Sequence, residues 1–250
     1  MIIENLSVLK INKLTQKQYD RELEAGNIDE NALYLTLEEL ETLIPAEYKQ
    51  VEYIQSTGAQ YIDTGFIPTI NSRYELDVQF IEDASIMEMC NGVTGSTTVS
   101  EAPYRFGIGC LKEGWSTQYP NNWYFAVADK NNYPLDKDTN RHLFYIDLPN
   151  GKYGMDDIEY SQDVSTFSQE STIYLFARNH LSSKGTNKID DYCFQKLYGC
   201  KIYEGGLLVR NFIPCYRKAD DAVGLYDIVE DKFYENLGTG DFLIGNNIVE

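Results

Sequence analysis

Residues 73–81 read RYELDVQFI, and this stretch decides the fold class. Tyr74, Leu76, Val78 and Phe80 fall on one side of an extended chain, and Glu75, Asp77 and Gln79 fall on the other. A two-residue period of this kind predicts a strand with one dry and one wet face, as antiparallel sheets have. The pattern continues outward. Tyr104, Phe106, Ile108 and Cys110 form another such face, and residues 123–128 and 142–148 predict further strands. Residues 171–177 (STIYLFA) are apolar on both faces and predict a short central strand. Turn signals at Asn91-Gly92, Pro120-Asn121-Asn122, Asn150-Gly151 and Glu204-Gly205-Gly206 separate these runs. Apart from one turn near residues 163–168, no helical pattern interrupts them. Short strands joined by short hairpins predict an all-β sandwich or jelly roll.

The first 44 residues differ in style. Residues 7–14 (SVLKINKL) alternate like a strand, and Thr15 stands three residues before Gln18 as in a capping box. A short helix is expected to run to Ala25 before Gly26 stops it. Residues 27–36 return to a strand-like pattern around Leu33, Tyr34 and Leu35, and the spacing of Thr36 and Glu39 predicts a second helix ending before Pro45. This β-α-β-α segment is too small to bury a core of its own. The expected organisation is therefore an attachment or oligomerisation segment, 1–44, followed by a sandwich domain, 45–250.

Composition narrows the partners. The apolar share of 43%, with 13% aromatics, can bury a substantial core. The chain has 20 Tyr against 2 Trp and 4 Met; Tyr suits half-buried strand faces and polar binding surfaces. A formal charge of −18 repels phosphate backbones and anionic headgroups, so neither nucleic acid nor membrane insertion is expected. No run approaches the roughly 18 apolar residues of a membrane span, and no signal-peptide pattern is visible. The five cysteines (Cys90, Cys110, Cys193, Cys200 and Cys215) are odd in number and lack CxxC spacing. They read as buried free thiols rather than as a disulfide framework or a zinc site.

Several strings then carry a resemblance. Residues 51–66 read VEYIQSTGAQYIDTGF and residues 174–179 read YLFARN. Residues 196–240 read KLYGCKIYEGGLLVRNFIPCYRKADDAVGLYDIVEDKFYENLGTG. Together they resemble the concanavalin A-like (laminin-G-like) jelly-roll sandwich module common in phage and prophage structural proteins, over about residues 48–242. Residues 14–36 (LTQKQYDRELEAGNIDENALYLT) resemble a short segment near the start of phage head- and tail-fibre proteins. The pairing implies a virion structural protein, assembled in the host cytoplasm and joined to other virion proteins through residues 1–44. By analogy with virion fibres it implies a homotrimer, although the chain shows no long heptads. The residues of the long string read mostly as strands and turns: Tyr198, Cys200 and Ile202 are expected on one face of a strand, and the whole is expected to close a sheet.

Catalytic patterns are sparse. Glucanases of this fold resemble one another in an E-x-D-x-x-E strand, whose alternate carboxylates share a face. The nearest cluster here, Glu82, Asp83 and Glu88, breaks that spacing. His142 and His180 are the only histidines and match no metal motif. Gly107-Ile108-Gly109 has no helix after it and makes no dinucleotide fingerprint, and no nucleophile elbow is present. No enzyme and no cofactor are expected. The pairs Asp190-Asp191 and Asp156-Asp157 could ligate calcium through oxygen, but neither lies in an EF-hand pattern. For a glycan, aromatic rings stack on sugar C–H faces and amides serve the hydroxyls. Trp115, Tyr119, Asn121, Asn122 and Trp123 are the expected contacts, with Asn179 and His180 as a second group; Trp123 has an alternative reading as core. The expected function is a phage fibre or decoration protein touching host surface polysaccharide. A bacterial surface lectin is the alternative, and a polysaccharide-degrading glycoside hydrolase is disfavoured by the broken carboxylate spacing.

Overall fold

The computed structural model describes residues 11–15, 23, 26–28, 33–37, 44–81, 89–95, 105–110, 122–181 and 187–248. The chain divides into two compact units, Met1–Leu43 and Ile44–Glu250. In the first, β1 (Ile11–Thr15) pairs in parallel with β2 (Leu33–Leu37), with Ile11 opposite Leu33 and Thr15 opposite Leu37. Thr36 and Leu37 are strand, so Thr36 does not cap a helix. Leu23 is helical and Gly26 turns back to it, its N–H donating to the Leu23 carbonyl. The remainder of both expected helices lies outside the described residues.

The second unit is a sandwich of two sheets. Its strands run β3 (Tyr48–Gln50), β4 (Ile54–Gln55), β5 (Ile62–Asp63), β6 (Ser72–Phe80), β7 (Met89–Thr94), β8 (Arg105–Cys110), β9 (Asn122–Ala128) and β10 (Lys130–Asp136). They continue with β11 (Arg141–Asp147), β12 (Lys152–Met155), β13 (Ile158–Ser161), β14 (Tyr174–Leu175), β15 (Arg178–Leu181) and β16 (Asn187–Asp190). The last are β17 (Gln195–Glu204), β18 (Leu207–Arg217), β19 (Ala222–Asp227), β20 (Lys232–Glu235) and β21 (Leu243–Ile244). Among the described residues, eight strands form one sheet in the order β10-β9-β8-β7-β14-β5, with β15 paired to β7 and β16 to β15. Eleven form the other, in the order β13-β12-β11-β6-β17-β18-β19-β20, with β3, β4 and β21 attached at its side. Pairing is antiparallel throughout both sheets except between β15 and β7.

The core lies between the sheets. On β6 the buried and half-exposed residues alternate without a break, and Tyr74, Leu76, Val78 and Phe80 all enter the core. They meet the other sheet directly: Tyr74 packs on Phe106 of β8 at 5.7 Å between ring centres, and Phe80 on Trp123 of β9 at 4.9 Å. All five cysteines are buried thiols, none of them in a disulfide. A reciprocal amide pair also spans the core. Asn91 of β7 donates from Nδ2 to Gln195 Oε1 of β17 at 2.8 Å, and Gln195 Nε2 donates to Asn91 Oδ1 at 2.7 Å.

Four expectations change in detail. Asn91-Gly92 is no turn but the middle of β7; a Cβ on Gly92 would stand 2.3 Å from the Phe106 carbonyl oxygen, so only glycine fits there. Residues 171–177 contribute only the two-residue β14, which lies between β7 and β5 rather than in a central strand. A bulge between Leu197 and Gly199 moves Tyr198 to the outer face, while Cys200 and Ile202 stay in the core. Residues 163–168 form no helical turn; Val164 and Phe167 pack against the core from irregular chain.

The strings 51–66 and 196–240 meet in space and close the sandwich. Gln60 accepts the Thr57 N–H on Oε1 at 2.9 Å and donates to the Asp241 carbonyl at 3.2 Å. Thr239 N–H donates to the Ala59 carbonyl at 3.0 Å, and Leu237 N–H to that of Tyr61 at 2.9 Å. Gly238 is needed for this approach, because a Cβ there would meet the Ala59 carbonyl oxygen at 2.1 Å. Further along, Asp227 is fully buried and accepts the N–H groups of Asn211 and Val229, while Arg210 joins it to Glu230.

Candidate functional site

The outer face of the eight-stranded sheet can be followed rung by rung. One rung of paired residues runs Asp63 (β5), Tyr174 (β14), Gly92 (β7), Gly107 (β8), Ala126 (β9) and Asn131 (β10). Alternation sends these outward because their neighbours Ile62, Leu175, Val93, Phe106 and Phe125 belong to the core. The middle of the rung is glycine and alanine and is buried; the Asp63 end is half-exposed.

At that end three tyrosines gather. Tyr61 and Tyr174 have ring centres 4.9 Å apart, and Tyr192 meets Tyr61 edge-on at 6.4 Å. Asp63 stands directly opposite Tyr174 in the register, and its Oδ1 accepts the Gly65 N–H at 2.9 Å. Burial, then the Asp63 charge, push the Tyr174 hydroxyl up to about 12. Tyr61 is raised by burial, then by Tyr192 and Asp63. Both hydroxyls therefore remain protonated donors near neutral pH, beside a carboxylate acceptor and ring faces wide enough to stack on a pyranose.

Next to this platform lies a charged group. Arg178 reaches Asp190 and Asp191, each at 2.8 Å, and Lys188 reaches Asp190 at 3.1 Å. His180 also faces Asp190, at 3.3 Å, so this expected glycan contact is held in an internal ion network. Burial alone would raise the Asp190 carboxyl, but the Arg178 hydrogen bond and charge outweigh it and hold it low.

The other expected contacts are placed as follows. Trp123 is 1% exposed and packs between Phe80 and Phe144, leaving no ring face for a sugar. Asn179, also 1% exposed, donates to the Thr172 carbonyl at 2.8 Å and braces the turn between β14 and β15. Asn122 is half-exposed and donates to the Tyr133 carbonyl across the β9–β10 pair at 3.2 Å. Trp115, Tyr119 and Asn121 lie outside the described residues, as do Glu82, Asp83 and Glu88. Asp156 is engaged with His142, whose two ring nitrogens face Asp156 at 2.7 Å and Asp138 at 2.8 Å. Among the described residues no group of three His, Cys, Asp or Glu side chains is placed to hold a metal ion.

Sequence reasoning passed over Tyr61, Asp63, Tyr174 and Tyr192. Local alternation around Ile62 and Leu175 points each of the first three away from the core, but nothing in the sequence says that β5 and β14 pair. Compared with models of protein families, with curated proteins and with solved structures, the chain matches none.

Proposed function

We propose that the chain is a structural protein of a phage virion, a head- or tail-fibre or decoration protein with a concanavalin A-like jelly-roll sandwich. Residues 1–44 attach it to other virion proteins and assemble it as a homotrimer. The sandwich contacts a host surface glycan and does no chemistry on it. The observation that carries the glycan contact is the half-exposed platform of Tyr61, Tyr174 and Tyr192 beside Asp63, because stacked rings with adjacent donors and an acceptor suit a sugar. The virion assignment rests on the resemblance of the strings 14–36, 51–66 and 196–240. A glycan array of host surface polysaccharides, read with the full chain and with Tyr61→Ala, tests the site. Wild type is expected to bind a subset, and the variant to lose roughly tenfold or more in affinity, as stacking contacts of ~0.5–1.5 kcal/mol plus lost hydrogen bonds would give. Equal binding by the two proteins sinks the assignment.

A further inference from the structure

Six aromatic rings of the sandwich carry a cation of the chain itself over one face. Arg141 lies 3.8 Å over the Tyr198 ring centre, Lys232 4.3 Å over Tyr234 and Lys196 4.5 Å over Tyr53. Arginines cover Tyr145, Phe66 and Phe233 in the same way. Each pairing satisfies the negative face of a ring with a cation of the chain itself. Among the described residues no Lys or Arg stands over Tyr61, Tyr174 or Tyr192. The acid beside Tyr61 and Tyr174 has no cation either. Asp63 accepts one backbone N–H, from Gly65, and has no cationic partner among the described residues. By contrast Asp77, Asp147, Asp190 and Asp220 each hold an arginine at 2.7–2.8 Å.

Tyrosine faces beside a carboxylate, on a chain of net charge −18, favour a positively charged ligand. We propose that this platform binds the protonated amine of an amino-bearing glycan, with the nitrogen at Asp63 and the sugar ring against the tyrosines. The inference rests on the glycan-contact reading and specifies its ligand: amino sugars are preferred, and glycans rich in carboxylate or phosphate are rejected by Asp63 and by the field of the whole chain.

The test uses two probes with one backbone that differ at nitrogen, free amine against acetamide: a β-1,4-linked glucosamine hexamer and its fully N-acetylated counterpart. Calorimetric titration of the full chain, at a pH below the pKa of the amine, is expected to show the free-amine hexamer binding about tenfold tighter. Asp63→Asn keeps an oxygen for the Gly65 N–H while removing the charge, and it should abolish the preference for the free-amine hexamer. Raising the pH until the amine loses its proton should do the same in the wild type. Equal or tighter binding of the acetylated hexamer overturns the amine assignment, as does a preference that survives Asp63→Asn. Failure to bind either hexamer by a protein that still selects glycans on the array overturns the amine assignment alone, whereas silence on the array as well overturns both readings.

Discussion

His142 sits between Asp156 and Asp138 with a carboxylate at each ring nitrogen. A neutral imidazole has one N–H, so only the imidazolium can donate to both. Burial would lower its pKa, but the hydrogen bonds to Asp156 and Asp138 outweigh that and raise it above 6.5. A folded pKa above the unfolded one means the proton stabilises the fold fully below the unfolded value. That contribution is lost as pH rises through the folded value. Asp138 has the opposite sign: burial would raise it, yet the Asn140 N–H and His142 hold it below 3.8. Its contribution is present above the unfolded value and lost only as pH falls through the folded one. In the window above the carboxylate range the histidine therefore sets the pH dependence of this triad. Denaturant unfolding of wild type and His142→Gln across that window should show the largest gap at the acid end, closing toward the alkaline end. A gap independent of pH would mean that the proton is not shared as the geometry requires.

At the scale of strands, the link between the two sheets runs through Asn91 and Gln195. Asn91 Oδ1 also accepts the Phe176 N–H at 2.7 Å, so one side chain joins β7, β17 and the end of β14. Asn91→Leu would strand the Gln195 amide and the Phe176 N–H at a cost of about 1–3 kcal/mol for each buried group left unpaired. The double variant Asn91→Leu/Gln195→Met should recover part of that loss, measured as the urea midpoint. Additive losses would mean the amides act independently. The same strands show what the sequence could and could not carry. RYELDVQFI was legible because a sheet with one wet face imprints its period on the residues. Residues 171–177 misled because Phe176 takes φ +68° and turns the chain, which lets Leu175 and Phe176 both enter the core. Asn91-Gly92 resembles a turn locally, but its amide is spent across the core and its glycine on backbone crowding. The tyrosine platform was illegible for a related reason: Asp63 and Tyr174 are neighbours only after β5 and β14 pair, and register is a property of the assembled sheet.

For the molecule as a whole, the second unit begins one residue earlier than the proline that marks it in the sequence. Ile44 is 3% exposed and packs with Cys215 and Tyr226, flanked by Tyr48 and Phe233, on the outer side of the larger sheet. Ala46 extends this seam by accepting from Lys218 Nζ at 2.6 Å. A chain of residues 44–250 should melt cooperatively at the midpoint shown by the sandwich in the full chain. One beginning at residue 47 should lose about 2 kcal/mol or more from the missing isoleucine, a drop of several degrees by circular dichroism. Failure of the longer fragment to fold would show that the sandwich depends on the first unit.

The closure at Ala59 and Gly238 also has a bearing on synthesis. Val51 bridges to Asn247, and among the described residues β4 pairs with β17 and β21. At the ~5–20 residues per second of translation, the first strands of the sandwich wait on the order of tens of seconds for the residues that complete them. During that interval Ile54 lacks the two strands that pair with its own. Closing of the sandwich is thus a late event in synthesis, with the chain's abundant acidic residues holding the unfinished fold in solution meanwhile.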